Sequence, residues 1–287
     1  DAKKILELFS LQDYLPSGKR VLQNVKPTST ENLHLKRLTR RRRQLVIEKV
    51  AIMNRLGSDL QAISPGLLAI TGKIDNLWFL RFLTYKNDIR KLATLRYGTL
   101  FNIKGVGKKF ADTIHQWQQE AHFAEEVVYT ASMIHEDALR ILQLLVHIKA
   151  LDKQIAALCQ SSEIASRIMS IPGFGTISCA ELAAEIGTFD RFDAEGSLAL
   201  YVGMTNLDNS SGKFKGSKRS KQVNRHAKMA MINAVSKHIR WVEQSKKYYD
   251  KKRMEGKSHQ QAVRSLGRHL IRVIWSMVSR GKDYEIR

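Results

Sequence analysis

The chain has 287 residues, of which 43% are hydrophobic and 26% charged, so it is long enough for two modest domains and has the composition of a folded protein. Its 48 Lys and Arg residues outnumber 27 Asp and Glu residues, a net charge of +21 that predicts a nucleic-acid partner, since these cations neutralise phosphates. No apolar run of membrane-spanning length and no secretory signal is present, which argues against a membrane or exported protein.

Helices dominate the predicted secondary structure, because the chain has only four prolines and is rich in strong helix formers. A short helix is expected over 1–9, and a long one over 30–63, before the Ser64-Pro65-Gly66 break. The long helix carries an arginine run with no acid between Lys36 and Ile47. The run is either a solvated helix face or a phosphate-binding one, and we favour phosphate contacts because the guanidinium fork suits phosphate oxygens. Its members are Arg40, Arg41, Arg42 and Arg43.

Residues 127–155 carry apolar side chains in alternating steps of four and three, interrupted only by Asp152. This spacing is typical of a long helix with a narrow apolar stripe and predicts a coiled-coil-like segment. The partner helix lies either antiparallel in the same chain or in a second copy, and a long amphipathic helix on its own core is the remaining alternative. We expect a homo-oligomer through this helix.

Two short segments, 103–107 and 171–175, share the pattern apolar-x-Gly-apolar-Gly in front of a predicted helix. The pattern is typical of helix-hairpin-helix turns, in which glycines let the backbone approach a phosphate and the amides of the next helix attract it. The alternative is a tight connection between packed helices. The candidate phosphate-binding residues are Gly105, Gly107, Gly173 and Gly175.

The most one-sided segment runs from Asn209 to Val242 and contains no acid. It opens with Ser210-Ser211-Gly212 and continues through a basic loop. A serine hydroxyl on a glycine-flanked loop among cations has the parts of a phosphoryl-transfer site, although such a loop is also a common passive phosphate-binding turn. The candidate nucleic-acid-binding cations are Lys213, Lys215, Lys218, Arg219, Lys221 and Arg225.

Several ordered motifs are similar to the C-terminal domain of the insertion-sequence family one-ten transposases. The similarity covers about residues 165–285, and Leu38 to Leu56 resembles that family's arginine-rich helix. The motifs are Ile171-Pro172-Gly173-Phe174-Gly175, Ala183-Ala184-Glu185-Ile186-Gly187, Leu200-Tyr201-Val202-Gly203-Met204, Ser210-Ser211-Gly212, Asn224-Arg225 and Gly256 to Ala262.

This resemblance implies a DNA transposase in which Ser211 is the catalytic nucleophile, with Ser210 as the alternative, and in which a structured guide RNA selects DNA. It further implies an N-terminal ribonuclease-H-like domain whose Asp, Glu, Asp, Asp set binds Mg²⁺. Asp1 matches the last of those acids and is the implied catalytic and metal-binding residue, although it is equally placed to start a helix. The resemblance places the protein in the bacterial cytoplasm, with the nucleoid.

The resulting fold prediction is mainly α, with long helices, a coiled-coil-like segment, helix-hairpin-helix turns and the end of an otherwise missing α/β ribonuclease-H-like domain. The implied domains are 1–65, the end of the N-terminal catalytic domain with its basic helix; 66–162, a helical region; and 163–287, the transposase domain. Because one carboxylate cannot make a magnesium site, a truncated, inactive nucleic-acid-binding remnant is the second hypothesis. An unrelated RNA-binding accessory protein is the third.

Overall fold

The computed structural model describes residues 1–11, 14, 25–218, 220 and 223–285. Apart from one small hairpin, the regular structure in this part of the chain is helical, so the mainly α prediction is confirmed. The helices are α1 (Ala2–Leu11), α2 (Thr30–Ile63), α3 (Pro65–Ala69), α4 (Leu77–Leu83), α5 (Tyr97–Leu100), α6 (Lys108–Gln119), α7 (Val127–Ser161), α8 (Glu163–Met169), α9 (Thr176–Ile186), α10 (Glu195–Tyr201), α11 (Arg225–Trp241), α12 (Glu243–Met254) and α13 (His259–Arg280). Strands β1 (Leu207–Asp208) and β2 (Ser217–Lys218) pair antiparallel.

The chain divides into two compact units. The first comprises Asp1–Lys36 and Leu158–Arg287, and the second comprises Arg37–Ala157. Each has its own buried side chains. The three-part division of the chain implied by the resemblance remains a prediction.

The second unit is built on an antiparallel pair formed by α2 and α7. Three ion pairs join the two helices, and their order along the chain is reversed: Arg42 pairs with Asp152, Glu48 with Arg140, and Arg55 with Asp137. Stripe residues of α7 such as Ile134 and Ile141 are buried in one core with Leu56 and Leu60 of α2. The apolar stripe of α7 therefore packs against α2, the antiparallel helix of the same chain.

Asp152 explains the single interruption of the stripe. Its carboxylate accepts a hydrogen bond from Nε of Arg42, and Asp137 accepts two from Arg55, one of them at 2.7 Å. A carboxylate at the edge of an apolar stripe is stabilised when an arginine on the facing helix neutralises it. Asp152, the residue that interrupts the apolar stripe, thus forms an ion pair between α7 and α2.

The first unit is organised around α9. Every residue of this helix from Ser178 to Ile186 is buried, and the helix packs against α8 and α11. Helix α13 packs in turn against α8, α10, α11 and α12, and Gly267 makes room on it for Met204, whose Sδ would lie 2.5 Å from a Cβ at position 267.

Helix α1 buries none of its side chains. Its assignment as the end of an α/β domain stays a prediction. None of the helices in the described part of the chain is long and apolar enough to span a membrane.

Candidate active site

The Ser211 loop is a β-hairpin rather than an irregular basic loop. Leu207 pairs with Lys218 and Asp208 with Ser217, and the ladder continues with Asn209 N donating to Gly216 O at 3.0 Å. Ser211 and Phe214 exchange two main-chain hydrogen bonds, each 3.0 Å long. Gly212, the first of the two residues at the tip, has φ +55, which suits the first central position of a type II′ turn.

The two serines of the hairpin differ in their bonding. Ser210 Oγ donates to Asp208 Oδ1 at 2.6 Å and accepts from Gly216 N at 3.4 Å, so this hydroxyl ties the hairpin together. Ser211 has its backbone fixed to Phe214, but its exposed hydroxyl makes no hydrogen bond to the described residues. The geometry fixes the position of Ser211 and leaves its oxygen available to a ligand.

Asn224 anchors the end of the loop that carries the hairpin. Its main-chain N donates to Tyr201 O at 2.8 Å, its Oδ1 accepts from Ala227 N at 3.0 Å and so caps α11, and its Nδ2 donates to Glu185 Oε2 at 2.8 Å. Glu185 is only 1% exposed. Removing Asn224 would leave this buried carboxylate with one donor fewer, which is costly.

The remaining contacts of this network come from Tyr201 and Gly203. Tyr201 Oη donates to Glu185 O at 2.8 Å. A Cβ at Gly203, which has φ +70, would lie 2.7 Å from Cγ1 of Val223 and 2.9 Å from Cδ of Lys228. The motif residues Glu185, Tyr201 and Asn224 thus form one hydrogen-bonded frame, and the bond from Asn224 N to Tyr201 O joins the chain on the two sides of the hairpin.

The basic residues predicted around Ser211 lie mostly on the hairpin surface. Lys213, Lys215 and Lys218 are exposed, and Arg225 is an exposed residue of the first turn of α11. Arg219 and Lys221 lie outside the described residues. The hairpin therefore carries three exposed lysines, and its only carboxylate, Asp208, is bonded to Ser210.

The two glycine turns share one backbone geometry. Gly105 and Gly173 have φ +98 and +83, while Gly107 and Gly175 are the N-cap residues of α6 and α9. In each turn an apolar residue closes a main-chain bond, from Val106 N to Ile103 O and from Phe174 N to Ile171 O. The repeated sequence pattern thus folds into a repeated turn, and phosphate binding by either turn stays a prediction.

The surroundings of the two turns differ. A Cβ at Gly173 would lie 2.7 Å from the main-chain N of His238 in α11, so Gly173 is needed for close packing of two backbones. A Cβ at Gly105 would meet Cβ of Trp78 at 3.3 Å, and the turn there is flanked by exposed Lys104, Lys108 and Lys109. The turn at Gly105 is therefore the better placed of the two for a phosphate.

The arginine run on α2 has more than one role. Arg42 is bonded to Asp152 of α7, which assigns its guanidinium to the helix pair. Arg40 and Arg41 are exposed, and Arg43 is partly buried. Nucleic-acid contact by these arginines remains a prediction.

Asp1 lies on the surface at the start of α1, where its carbonyl accepts a hydrogen bond from Ile5 N at 3.2 Å. Within the described ranges there is no group of three or more His, Cys, Asp or Glu side chains that could hold a metal ion. Mg²⁺ requires several oxygen ligands in near-octahedral geometry. The described residues therefore do not make the implied magnesium site.

His238 connects the Gly173 turn to the rest of the first unit. The ring is 0% exposed; its Nδ1 lies 2.7 Å from Pro172 O and its Nε2 lies 2.9 Å from Ser245 Oγ. Because a carbonyl can only accept, Nδ1 carries the proton, and neutral Nε2 accepts from Ser245. Burial lowers the pKa of His238, and the bond to Pro172 partly opposes this effect.

This histidine predicts a loss of stability on mild acidification. The pKa of His238 is lowered in the folded protein, so below pH about 6.5 the unfolded chain binds a proton that the folded chain resists. The free energy of unfolding should fall with pH below that value, with a contribution of at most about 1.4 kcal/mol per pH unit from this group. Urea unfolding of the wild type and of His238→Gln between about pH 7.5 and 5.5 measures the difference in slope.

The control for this experiment is His122→Gln, since His122 is an exposed histidine. His122→Gln should keep the wild-type pH dependence, whereas His238→Gln should have a shallower one. Equal slopes for all three proteins would show that His238 protonates as easily in the folded chain as in the unfolded one.

The two cysteines are buried and unpaired. Burial raises the pKa of the Cys159 thiol to about 11 and, with a smaller contribution from Cys159, that of Cys179 to about 12. Thiolates are the reactive form, so both side chains are inert at neutral pH. They act as small apolar residues in the packing of α7 and α9.

Residues 165–250 match the model of a family of transposases, described as the IS116/IS110/IS902 transposase family. The match contains the Gly173 turn, the frame around Asn224, the Ser211 hairpin and α11. This part of the chain is therefore similar to the transposases of the IS116/IS110/IS902 family.

Three relatives belong to insertion elements. The chain is 28% identical over 258 residues to an uncharacterized protein of insertion element IS116 from Streptomyces clavuligerus, which covers 85% of this chain and 63% of the relative. It is 32% identical to an IS900 protein of Mycobacterium paratuberculosis over 58% of this chain and 44% of the relative. The IS110 protein of Streptomyces coelicolor is 33% identical to the chain over 48% of this chain and 35% of the relative. The chain thus spans less than two thirds of these relatives.

Sequence reasoning missed the roles of two carboxylates in this region. Asp208 lies one residue before the acid-free segment, and the extended strand brings its carboxylate to Ser210, two residues further along. Glu185 was part of a motif, but its bond to Asn224 joins residues 39 positions apart. Alternating residues share a strand face, so the Asp208-x-Ser210 spacing was the one available signal.

Proposed function

We propose that this chain is the serine-bearing part of a DNA transposase that cuts and rejoins DNA through Ser211. The observation that carries the proposal is the exposed hydroxyl of Ser211, which makes no hydrogen bond to the described residues and lies on a hairpin whose backbone is fixed. The exposed lysines of the same hairpin suit a phosphodiester. The similarity of residues 165–250 to a transposase family supports this class of reaction.

The proposed step is an exchange of one phosphodiester for another. Ser211 Oγ attacks a DNA phosphorus, its proton passes to a solvent water, and a bond forms between the serine oxygen and phosphorus. The bond from phosphorus to one deoxyribose oxygen breaks, and that oxygen takes up a proton as a hydroxyl. Lys213, which lies between Ser211 and Phe214 at the tip of the hairpin, would stabilise the negative charge of the transition state, because a fixed cation does so without reorganisation. Rejoining is the reverse reaction with a new strand.

DNA is the proposed substrate, and a structured RNA is the proposed guide. The net charge of +21 supports affinity for either polyanion, since phosphate contacts are independent of sequence. The guide RNA and Mg²⁺ rest on the resemblance alone. The described residues do not form a metal site, so the step above uses only side chains of this chain.

A homo-oligomer through the 127–155 helix remains part of the proposal. The apolar stripe that suggested it is covered by α2, so a second copy would have to use other side chains. Val128, Met133 and Val146 of α7 are exposed apolar residues. Sedimentation of the wild type and of Val146→Glu tests this association.

A nucleic-acid-binding protein without catalysis is the second candidate function. It is favoured by one observation, the absence of a metal cluster among the described residues. In that case the hairpin would hold phosphate passively.

A covalent-adduct assay on the full-length protein distinguishes these functions. Labelled element-end DNA is incubated with the protein and its RNA, and denaturing electrophoresis separates free DNA from protein-linked DNA. A cleaved product together with a protein–DNA adduct supports the serine mechanism. Binding of DNA in a mobility-shift assay without cleavage or adduct would reject it and support the passive function.

A further inference from the structure

A surface pocket of about 420 Å³ lies at the base of the hairpin. Its walls come from three separate parts of the first unit: residues 204–206, which lead into β1; Tyr248 on α12; and the face of α13 between Gln261 and Arg272. The volume is in the range of roughly 300–1,000 Å³ that small-molecule sites occupy. The residues on α13 lie beyond the segment matched by the family model.

The pocket is lined by four permanent cations and by no carboxylate. Arg264, Arg268 and Arg272 are spaced by four residues, which places them on one face of α13. Lys257, just before that helix, is the fourth. This concentration of positive charge attracts anions.

Two nearby acids neutralise part of this positive charge. Glu195 forms a bidentate ion pair with Arg268, with one bond of 2.7 Å, and lies 3.5 Å from Arg272 Nε. Glu255 lies 3.6 Å from Lys257 Nζ. Glu195 thus holds Arg268 in place, and the four cations still exceed the two acids.

Arg264 is the cation best placed for a ligand. Its Nε donates to Gln260 O at 3.3 Å, while its Nη atoms make no hydrogen bond to the described residues. His269, whose Nε2 lies 2.9 Å from Tyr248 Oη, shares the pocket. Its pKa is lowered first by burial and then by the charges of Arg272, Arg268 and Lys252, which independently indicates a positive field.

We propose that this pocket binds the phosphodiester backbone of the DNA strand that Ser211 cuts, with Arg264 and Lys257 as its principal contacts. The choice of DNA rests on the proposed function. Residues 204–206 line the pocket and continue directly into the hairpin. Ser211 is five residues beyond Asn206, so the two residues are at most about 17 Å apart along an extended chain. A DNA strand covers that distance with about five nucleotides, at 3.4 Å per base. A strand held in the pocket can therefore reach the serine.

Arg264→Gln tests the electrostatic contact, and Arg280→Gln is its matched control. Arg280 is an exposed arginine at the end of the same helix, outside this pocket. Binding of a short single-stranded DNA to the Ser211→Ala chain is measured by fluorescence anisotropy between about 50 and 200 mM salt. We expect Arg264→Gln to weaken binding about 5-fold and to reduce the salt slope by about 0.7.

Protection of an introduced thiol tests where the strand lies. Ser265 lines the pocket, whereas Ser279 is exposed on the same helix outside it. The native cysteines are buried, so maleimide reports on Ser265→Cys or Ser279→Cys alone. DNA should slow modification of Ser265→Cys at least about 5-fold, matching the affinity effect, and leave Ser279→Cys unchanged.

Either of two results would overturn the assignment. One is equal salt slopes for Arg264→Gln and Arg280→Gln together with unprotected Ser265→Cys. The other is protection by single-stranded RNA of the same sequence that exceeds protection by DNA, which would assign the pocket to RNA. Both experiments measure binding by a chain without Ser211, so they fail or succeed independently of cleavage.

Discussion

The Ser211→Ala variant is expected to lose strand cleavage by at least about 10³-fold while its DNA affinity stays within about 2-fold of wild type. Removal of a covalent nucleophile abolishes the step that it performs, and losses of this size or larger are typical. The hairpin should survive the change, because Ser211 contributes only main-chain bonds to it. Cleavage rates on element-end DNA, measured with the full-length protein and its RNA, give the comparison.

Ser210→Ala is the matched control, since it removes the neighbouring hydroxyl. That hydroxyl bonds to both Asp208 and Gly216, so its loss removes two hydrogen bonds and loosens the hairpin. We expect the cleavage rate to fall by about 10-fold, which corresponds to about 1.4 kcal/mol in activation free energy. If Ser210→Ala were the inactive variant and Ser211→Ala the active one, the roles of the two serines would be reversed, with Asp208 as the base.

Gly173→Ala should destabilise the first unit by on the order of 2–6 kcal/mol. The substitution forces a residue with a Cβ into a backbone with φ +83, which costs about 1–3 kcal/mol. The same Cβ would lie 2.7 Å from His238 N and 2.8 Å from its Cα, and the backbone of α11 must move, at a further cost of about 1–3 kcal/mol. The midpoint of urea unfolding, followed by circular dichroism, reports the loss.

Gly175→Ala provides the control two residues further along the same turn. Gly175 has ordinary backbone angles, φ −77 and ψ 154, and a Cβ there would meet only Nζ of Lys237, at 3.9 Å. We expect a change of no more than about 0.5 kcal/mol. Similar midpoints for the two variants would mean that the turn does not pack against α11 as described.

The helices could be predicted because they depend on local spacing. The 127–155 stripe predicted α7, and Asp152 marked the place where Arg42 of α2 meets it. The helix that packs on this stripe could not be identified from the sequence, because the spacing of apolar residues along one helix does not say which other helix covers them. The close approach of Gly173 to His238 was hidden for the same reason, because 65 positions of sequence separate the two residues.

The candidate site was only partly readable from the sequence. Ser211 was singled out by resemblance, while its fixed backbone and the bonded state of Ser210 depend on hairpin register. Short strands of two residues within a basic segment give almost no alternating pattern, so the hairpin was not predicted. The pocket on α13 was missed because its walls come from three separated segments.

The most direct test is to identify the residue that becomes linked to DNA. The full-length protein is trapped with labelled DNA, digested with nuclease and protease, and the modified peptide is sequenced by mass spectrometry. We expect a nucleotide on the peptide containing residues 210–212, with fragment ions that place it on Ser211. A nucleotide on any other residue, or cleavage with no linked peptide, would contradict it.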